Sequence, residues 1–457
     1  MGSEFRVNTY TAGDQGYPAA CADPQGRAVV VWESRDQDGA RNGVRAQRYD
    51  RDGAPLGSEL AVNSYTTDDQ QLPSVSCTDS GDFVVVWESR GQDGDDYGIV
   101  GQRFDDAGAA VGGEIQINTA TADRQRAAAT CSDSAGNFVV VWQSYDQDGD
   151  GYGIFARRFD SAGAPRGGEF QVNTFTDYSQ ENPAVACSAA GDFVVVWDGG
   201  MQDGDGYGVF AQRVDRGGAK AGSEFRVNSY TTGTQQLPSV ASADGGDFVV
   251  VWESYDDQDG DGYGIFGQRF DSAGAPSGSE FQVNAFTSYS QQKPSVGVAA
   301  DGAFTVAWSS PHDGDGYGVF SRDFASTGVP AGTADFQVNT YTLGEQGALS
   351  AEGHVLSVAR GGNTMLIVWQ STGVTVAQQD GDGSGVFAQR YAIAGAECTG
   401  DCNGDGRVTI DELLDGVRIS LGIVEPMFCP AMDANDSGGV EINELVSAVN
   451  NALGNCP

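Results

Sequence analysis

Histidine is nearly absent: His312 and His354 are the two in a chain of 457 residues. With no GxSxG elbow either, hydrolysis by a serine triad is excluded as a reading. Basic side chains are also scarce, 25 Lys and Arg against 64 Asp and Glu, for a formal net charge of -39. Such a surface repels phosphate backbones and anionic lipid, so neither nucleic acid nor membrane insertion is expected. No run of 18 apolar residues occurs, which excludes a spanning helix. The opening MGSEFRVN lacks the apolar core of a signal peptide. Because GSEF recurs at Gly222 to Phe225 and Gly278 to Phe281, the start reads as a cut within a longer precursor whose export signal was removed.

What the chain does have is repetition. Trp32, Trp87, Trp142, Trp197, Trp252, Trp308 and Trp369 each close an apolar run such as VVVW, spaced 55, 55, 55, 55, 56 and 61 residues apart. A fixed period of about 50 residues with several short strands per unit marks an array whose neighbours bury each other's apolar faces. In the third copy EIQIN, AAATC, FVVVW and GIFARRF read as strands, being alternating or β-branched and bounded by Gly, Asp, Asn and Ser. Seven four-stranded antiparallel units predict a mainly β fold, a seven-bladed β-propeller over residues 1–394. A β-solenoid, the rival, needs caps that the ends do not show. Glu4 to Tyr10 matches an outer strand, and the last unit stops one strand short, so the N-terminal strand is expected to close the ring. Pairing with another molecule instead would make a self-associating filament.

Residues 395–457 differ in composition. DCNGDGRVTIDE and DANDSGGVEINE fit the twelve-residue EF-hand calcium loop, which places oxygen ligands at positions 1, 3, 5, 7 and 12 and glycine at 6. The ligands would be Asp401, Asn403, Asp405, the Arg407 carbonyl and Glu412 in the first loop. In the second they would be Asp433, Asn435, Ser437, the Gly439 carbonyl and Glu444. Ile410, Leu413, Val417 and Leu421, matched by Ile442, Leu445, Val449 and Leu453, give each loop a following helix with one apolar stripe. This duplicated loop and helix resembles the dockerin family. The resemblance implies a small α-helical calcium module and a cohesin-like surface protein as partner, contacted through Ile410, Asp411, Ile442 and Asn443. These differ from the Ser-Thr pair of well-known members.

A second set of aspartates lies in the Gly-rich hairpins after each tryptophan strand: Asp93 and Asp95; Asp146, Asp148 and Asp150; Asp203 and Asp205; Asp257, Asp259 and Asp261; Asp313 and Asp315; Asp380 and Asp382. Their alternate spacing suits Ca2+ ligation, with carbonyls, water or a strand residue such as Glu253 completing the shell. The loops resemble the calcium hairpins of integrin α propellers. A plain Asp-Gly turn is the alternative. The first copy, DQDGARNG, has lost the third aspartate and gained Arg41, and is expected to bind worst.

Every inter-unit loop carries Asn, Thr and Gln, from Asn8, Thr11 and Gln15 to Asn339, Thr342 and Gln346. An aromatic residue such as Tyr10, Tyr65 or Phe175 sits between Asn and Thr, where it would stack on a glycan or pack between units. Glu33, Glu88, Asp198 and Glu253 follow blade tryptophans and keep a two-carboxylate glycosidase open. Since nearly every such acid recurs while reaction centres are asymmetric, the sequence alone favours a secreted calcium-binding scaffold for adhesion to glycan or protein, not an enzyme.

Eight cysteines complete the inventory. Cys398, Cys402, Cys429 and Cys456 suit disulfides in the small module, with connectivity open. Cys21 and Cys131 lie 11 residues before their tryptophans, and Cys77 and Cys187 lie 10 before theirs. A one-residue shift in a strand turns the side chain to the opposite face. Disulfides Cys21 to Cys77 and Cys131 to Cys187, each joining adjacent units, are therefore expected, unless a bulge returns all four to one face as buried thiols.

Overall fold

The computed structural model describes residues 3–39, 41–255, 258–347, 355–362, 364–372, 379–380 and 382–392, together with 413, 417, 419, 420, 440, 445, 446, 448 and 449. The chain divides into two compact units, 1–361 with 365–391 and 362–364 with 392–457.

The first unit is a seven-bladed propeller. Among the described residues there are seven antiparallel sheets, six with four strands in chain order and a seventh with five. Blade four is typical, with Gln180–Cys187, Phe193–Gly200, Tyr207–Val214 and Phe225–Arg226. The first strand of each blade touches the first strands of both neighbours, a closed circuit that identifies it as the strand nearest the axis. In the seventh sheet Phe5–Arg6 pairs with Ser384–Ala392, so the N-terminal strand closes the ring within one chain.

Both sheet faces are buried, which is why the second strands read as unbroken apolar runs. All seven tryptophans are fully buried. The core is built between blades: Trp197, Phe193 and Val195 of blade four pack with Val139, Val141 and Ile154 of blade three. Hiding an aromatic side chain of roughly 150–250 Å² contributes about 4–6 kcal/mol in transfer terms, so each tryptophan is a principal joint between blades.

Cys21 and Cys77 form a disulfide, as do Cys131 and Cys187, each with Cα atoms 5.6 Å apart. Cys21 stands opposite Val29 but Cys77 opposite Phe83, which is the one-place shift that turns them toward each other. Such bonds persist in exported proteins, and no helix among the described residues is long and apolar enough to cross a membrane.

In the second unit Leu413, Val417, Ile419 and Ser420 are helical, as are Leu445, Val446, Ala448 and Val449. These scattered residues do not establish a dockerin-like module. Val417 and Val449, expected on the packed stripe, are exposed, whereas Ile419 and Ala448 are buried. The expected ligands of both calcium loops and Cys398, Cys402, Cys429 and Cys456 lie outside the described residues.

Candidate active site at the mouth of the axis

The inter-blade loops and the Asp-Gly hairpins meet at one end of the axial strands. There the hairpin aspartates serve as hydrogen-bond acceptors. Asp93, Asp148, Asp203, Asp259, Asp313 and Asp380 each accept from the Nδ2 of the loop asparagine, at 2.9 to 3.3 Å. Asp95, Asp150, Asp205 and Asp261 accept the backbone N–H of Asp123, Tyr178, Gly233 and Tyr289. Asp146 is a left-handed turn residue (φ 57°), Asp315 donates its N–H to Asp313, and Asp382 acts on Asp380 only through charge. Among the described residues no three His, Cys, Asp or Glu side chains converge as a metal would require. Asp257 lies outside the described residues. Arg41 of the first copy pairs with Asp69 at 3.3 Å.

The loop asparagines and glutamines also serve the scaffold. Asn173 Nδ2 donates to the Phe175 carbonyl and to Gln180 Oε1, while its Oδ1 accepts the Ile154 N–H. Tyr10, Tyr65 and Phe175, the candidate stacking rings, are half-buried.

The axial strands of blades one to six each contain a bulge two residues after the glutamine, where the backbone is left-handed: Tyr17, Leu72, Ala127, Asn182, Leu237 and Lys293, with φ from 49° to 57°. The residue after the preceding blade's tryptophan accepts that bulge N–H. Glu33 takes Leu72, Glu88 takes Ala127, Asp198 takes Leu237 and Glu253 takes Lys293, at 2.7 to 3.3 Å. Gln143 and Gln370 do the same for Asn182 and Tyr17, so the joint needs an acceptor and not a charge. Glu253 is accordingly committed to Lys293 and Gln236. Burial raises all four acids, Glu33 to about 8, although the Leu72 N–H pulls it down. Glu88 has a counterion, Arg126, at 3.2 Å, whose guanidinium lies 5.1 Å over the Tyr97 ring.

Across the axial strand, the partner of this acceptor varies from blade to blade: Gly16 faces Glu33, Gln71 faces Glu88, Arg126 faces Gln143, Gln236 faces Glu253 and Gln292 faces Ser309. Blade four alone, among the described residues, opposes two carboxyls, Glu181 and Asp198. Directly opposed antiparallel residues have Cβ atoms about 4.5–5.5 Å apart. Asp198 is 1% exposed, and burial pushes its carboxyl up to about 7. The Leu237 N–H and Asn182 amide pull it down, and the charges of Glu181 and Glu253 push it further up. Both donors bind Oδ2, at 3.0 Å each, and Oδ1 is buried with no partner. Such an environment favours a proton on Oδ1. Glu181 is half-buried and also raised by burial, with Ser179 and Tyr207 hydrogen-bonding to it and lowering it. Tyr207 is raised to about 12, chiefly by burial and then by these two carboxyls.

Space accompanies the pair. Where other blades have Ser34 and Arg35 or Ser144 and Tyr145 at the strand's end, blade four has Gly199 and Gly200. A Cβ on Gly200 would sit 3.5 Å from Tyr178 and 3.7 Å from Tyr207, so the missing side chain leaves room between two tyrosines beside Glu181.

No protein-family description and no curated protein sequence matches the chain. Solved structures do match. A Dyadobacter fermentans protein of unknown function is similar at 11% identity over 86% of this chain and 98% of that one, TM-score 0.50. The phage phi92 endosialidase is similar at 9% identity over 86% of this chain and 69% of its own, TM-score 0.50. A Penicillium chrysogenum alpha-L-arabinanase complexed with arabinobiose is similar at 14% identity over 69% and 92%, TM-score 0.45. At these identities the likeness shows the propeller fold. The expectation of a non-enzymatic adhesion scaffold is corrected here. A protein named as an endosialidase shares the fold, and blade four breaks the repetition on which the scaffold reading rested.

Proposed function

We propose that the protein is a carbohydrate-active enzyme that hydrolyses a glycosidic bond at the mouth of its axis. The observation that carries this is the cross-strand pair Glu181 and Asp198. Glycoside hydrolysis needs one carboxyl that holds a proton near neutral pH and one that is ionised, and environments that push two carboxyls apart assign the roles. Asp198, raised to about 7, holds the proton for the departing sugar oxygen. Glu181, with two hydroxyl donors, is the ionised member that attacks or stabilises the anomeric carbon. Water then completes the cleavage. The named activities of the phage endosialidase and the fungal arabinanase agree with this substrate class. A secreted setting is part of the reading, supported by the two disulfides. Calcium at Asp401 to Glu412 and Asp433 to Glu444 is likewise part of it, supported by the loop pattern.

The test is turnover of the full chain on aryl glycosides and polysaccharides. Glu181→Gln and Asp198→Asn should each cut kcat/KM at least about a hundredfold with melting retained. Wild-type protein inactive on every glycan, or variants as active as wild type, would refute the proposal.

A further inference from the structure

The face around the mouth carries exposed tyrosines at positions the fold does not ask for. In each inter-blade loop one residue is left-handed: Gly13, Asp68, Asp123, Tyr178, Gly233, Tyr289 and Gly344. Glycine adopts this conformation freely, and Asp is one of the few other residues that visits it readily. A bulky residue there is an outlier, and Tyr178 (φ 60°) and Tyr289 (φ 63°) are also 55% and 65% exposed. Their backbone N–H groups make the same bond to a hairpin aspartate as Gly233 does, so the ring is not needed for the turn. Strain without burial in return points to a role outside folding.

Their placement gives the role. Tyr178 leads into Glu181 and borders the space over Gly200. At the equivalent strand ends of the neighbouring blades, Tyr145 of blade three and Tyr255 of blade five are exposed, the first resting edge-on against Tyr152 and the second tilted against Tyr263. The equivalent position in blades one and two is Arg35 and Arg90. Aromatic surface therefore spans blades three to six, with the carboxyl pair between its ends.

We infer that Tyr178 and Tyr289 are stacking platforms for successive sugars of an uncharged polysaccharide that runs across blades three to six, so that bonds inside a chain are cleaved at Glu181 and Asp198. This rests on the proposed glycoside hydrolysis. The apolar C–H face of a pyranose or furanose packs on an aromatic ring without needing charge, and rings on both sides of the reacting bond favour an internal cut. The substrate is uncharged because a protein of net charge -39 with an aspartate-lined face repels a polyanion.

The experiment is affinity electrophoresis of the full chain in gels containing an arabinan, a galactomannan or a mixed-linkage glucan, with polygalacturonate as the charged arm. Retardation does not depend on turnover. Tyr178→Gly and Tyr289→Gly copy residues found in other blades, so melting should stay level or rise while affinity for the retarding polymer falls about tenfold for each ring. Unchanged retardation in the double variant would overturn the inference, as would preference for polygalacturonate. Absence of retardation by every uncharged polymer would overturn it too, even if small glycosides were hydrolysed and the carboxyl pair upheld.

Discussion

Glu4 accepts the backbone N–H and the hydroxyl of Thr340 through one carboxylate oxygen, at 2.5 and 2.7 Å. A carboxylate accepting the equivalent backbone N–H joins every other pair of neighbouring blades, from Glu59 with Thr9 to Asp335 with Ala285. Glu4 belongs to the N-terminal segment and Thr340 to the loop leaving blade six, so this clasp completes the circle. Glu4→Ala should lower the melting temperature more than Glu114→Ala, because it weakens the closing joint as well as removing an acceptor for two donors. Parallel melts of the two variants check it.

Removing the staple between blades one and two, with Cys21→Ser and Cys77→Ser together, should cost about 4 kcal/mol in the chain-entropy account. Mild reduction of the wild-type protein should reproduce part of the loss. A double variant with unchanged thermal unfolding would contradict this.

Stability should depend on pH through the mouth carboxyls. Glu33 and Asp198 bind protons more tightly folded, at about 8 and about 7, than unfolded, near 4. Between these values the native state carries the extra protons, so their contribution is present at low pH and lost as pH rises from about 4 to 8. Asp198→Asn should flatten that fall by up to about 1.4 kcal/mol per pH unit within its window. Melting curves across the range measure it.

For catalysis, kcat/KM should fall above about pH 7 as Asp198 loses its proton, and the limb should vanish in Asp198→Asn. A pH profile that is flat to pH 9 in wild type would remove Asp198 from the acid role.

Chelator should release calcium from the full chain, and Glu412→Gln with Glu444→Gln should weaken its binding by removing one oxygen of a bidentate ligand in each loop. Calorimetric titration with unchanged calcium stoichiometry in the double variant would exclude those loops.

The ring was legible because its joints repeat. Seven tryptophans in apolar runs can be satisfied only by neighbours, and the shifted cysteines reveal which faces meet. The proposed reaction centre is harder to see for the opposite reason. Glu33, Glu88, Asp198 and Glu253 attract notice by recurring, yet their shared contact holds a backbone bulge. Glu181 occupies a column that reads Gly, Gln, Arg, Glu, Gln, Gln down the first six copies, and its meaning appears only when cross-strand register sets it against Asp198. The hairpin aspartates are ambiguous in a related way: alternate spacing looks the same whether the carboxylates ligate a cation or accept from asparagine and backbone.

Each of these bulges at the mouth meets the neighbouring blade through a main-chain N–H. Tyr17, Leu72, Ala127, Asn182, Leu237 and Lys293 share one backbone contact while their side chains range from methyl and isobutyl to phenol, amide and ammonium. Each blade offers a socket whose fitting can be exchanged without disturbing the wheel, and a change of specificity requires no change of architecture.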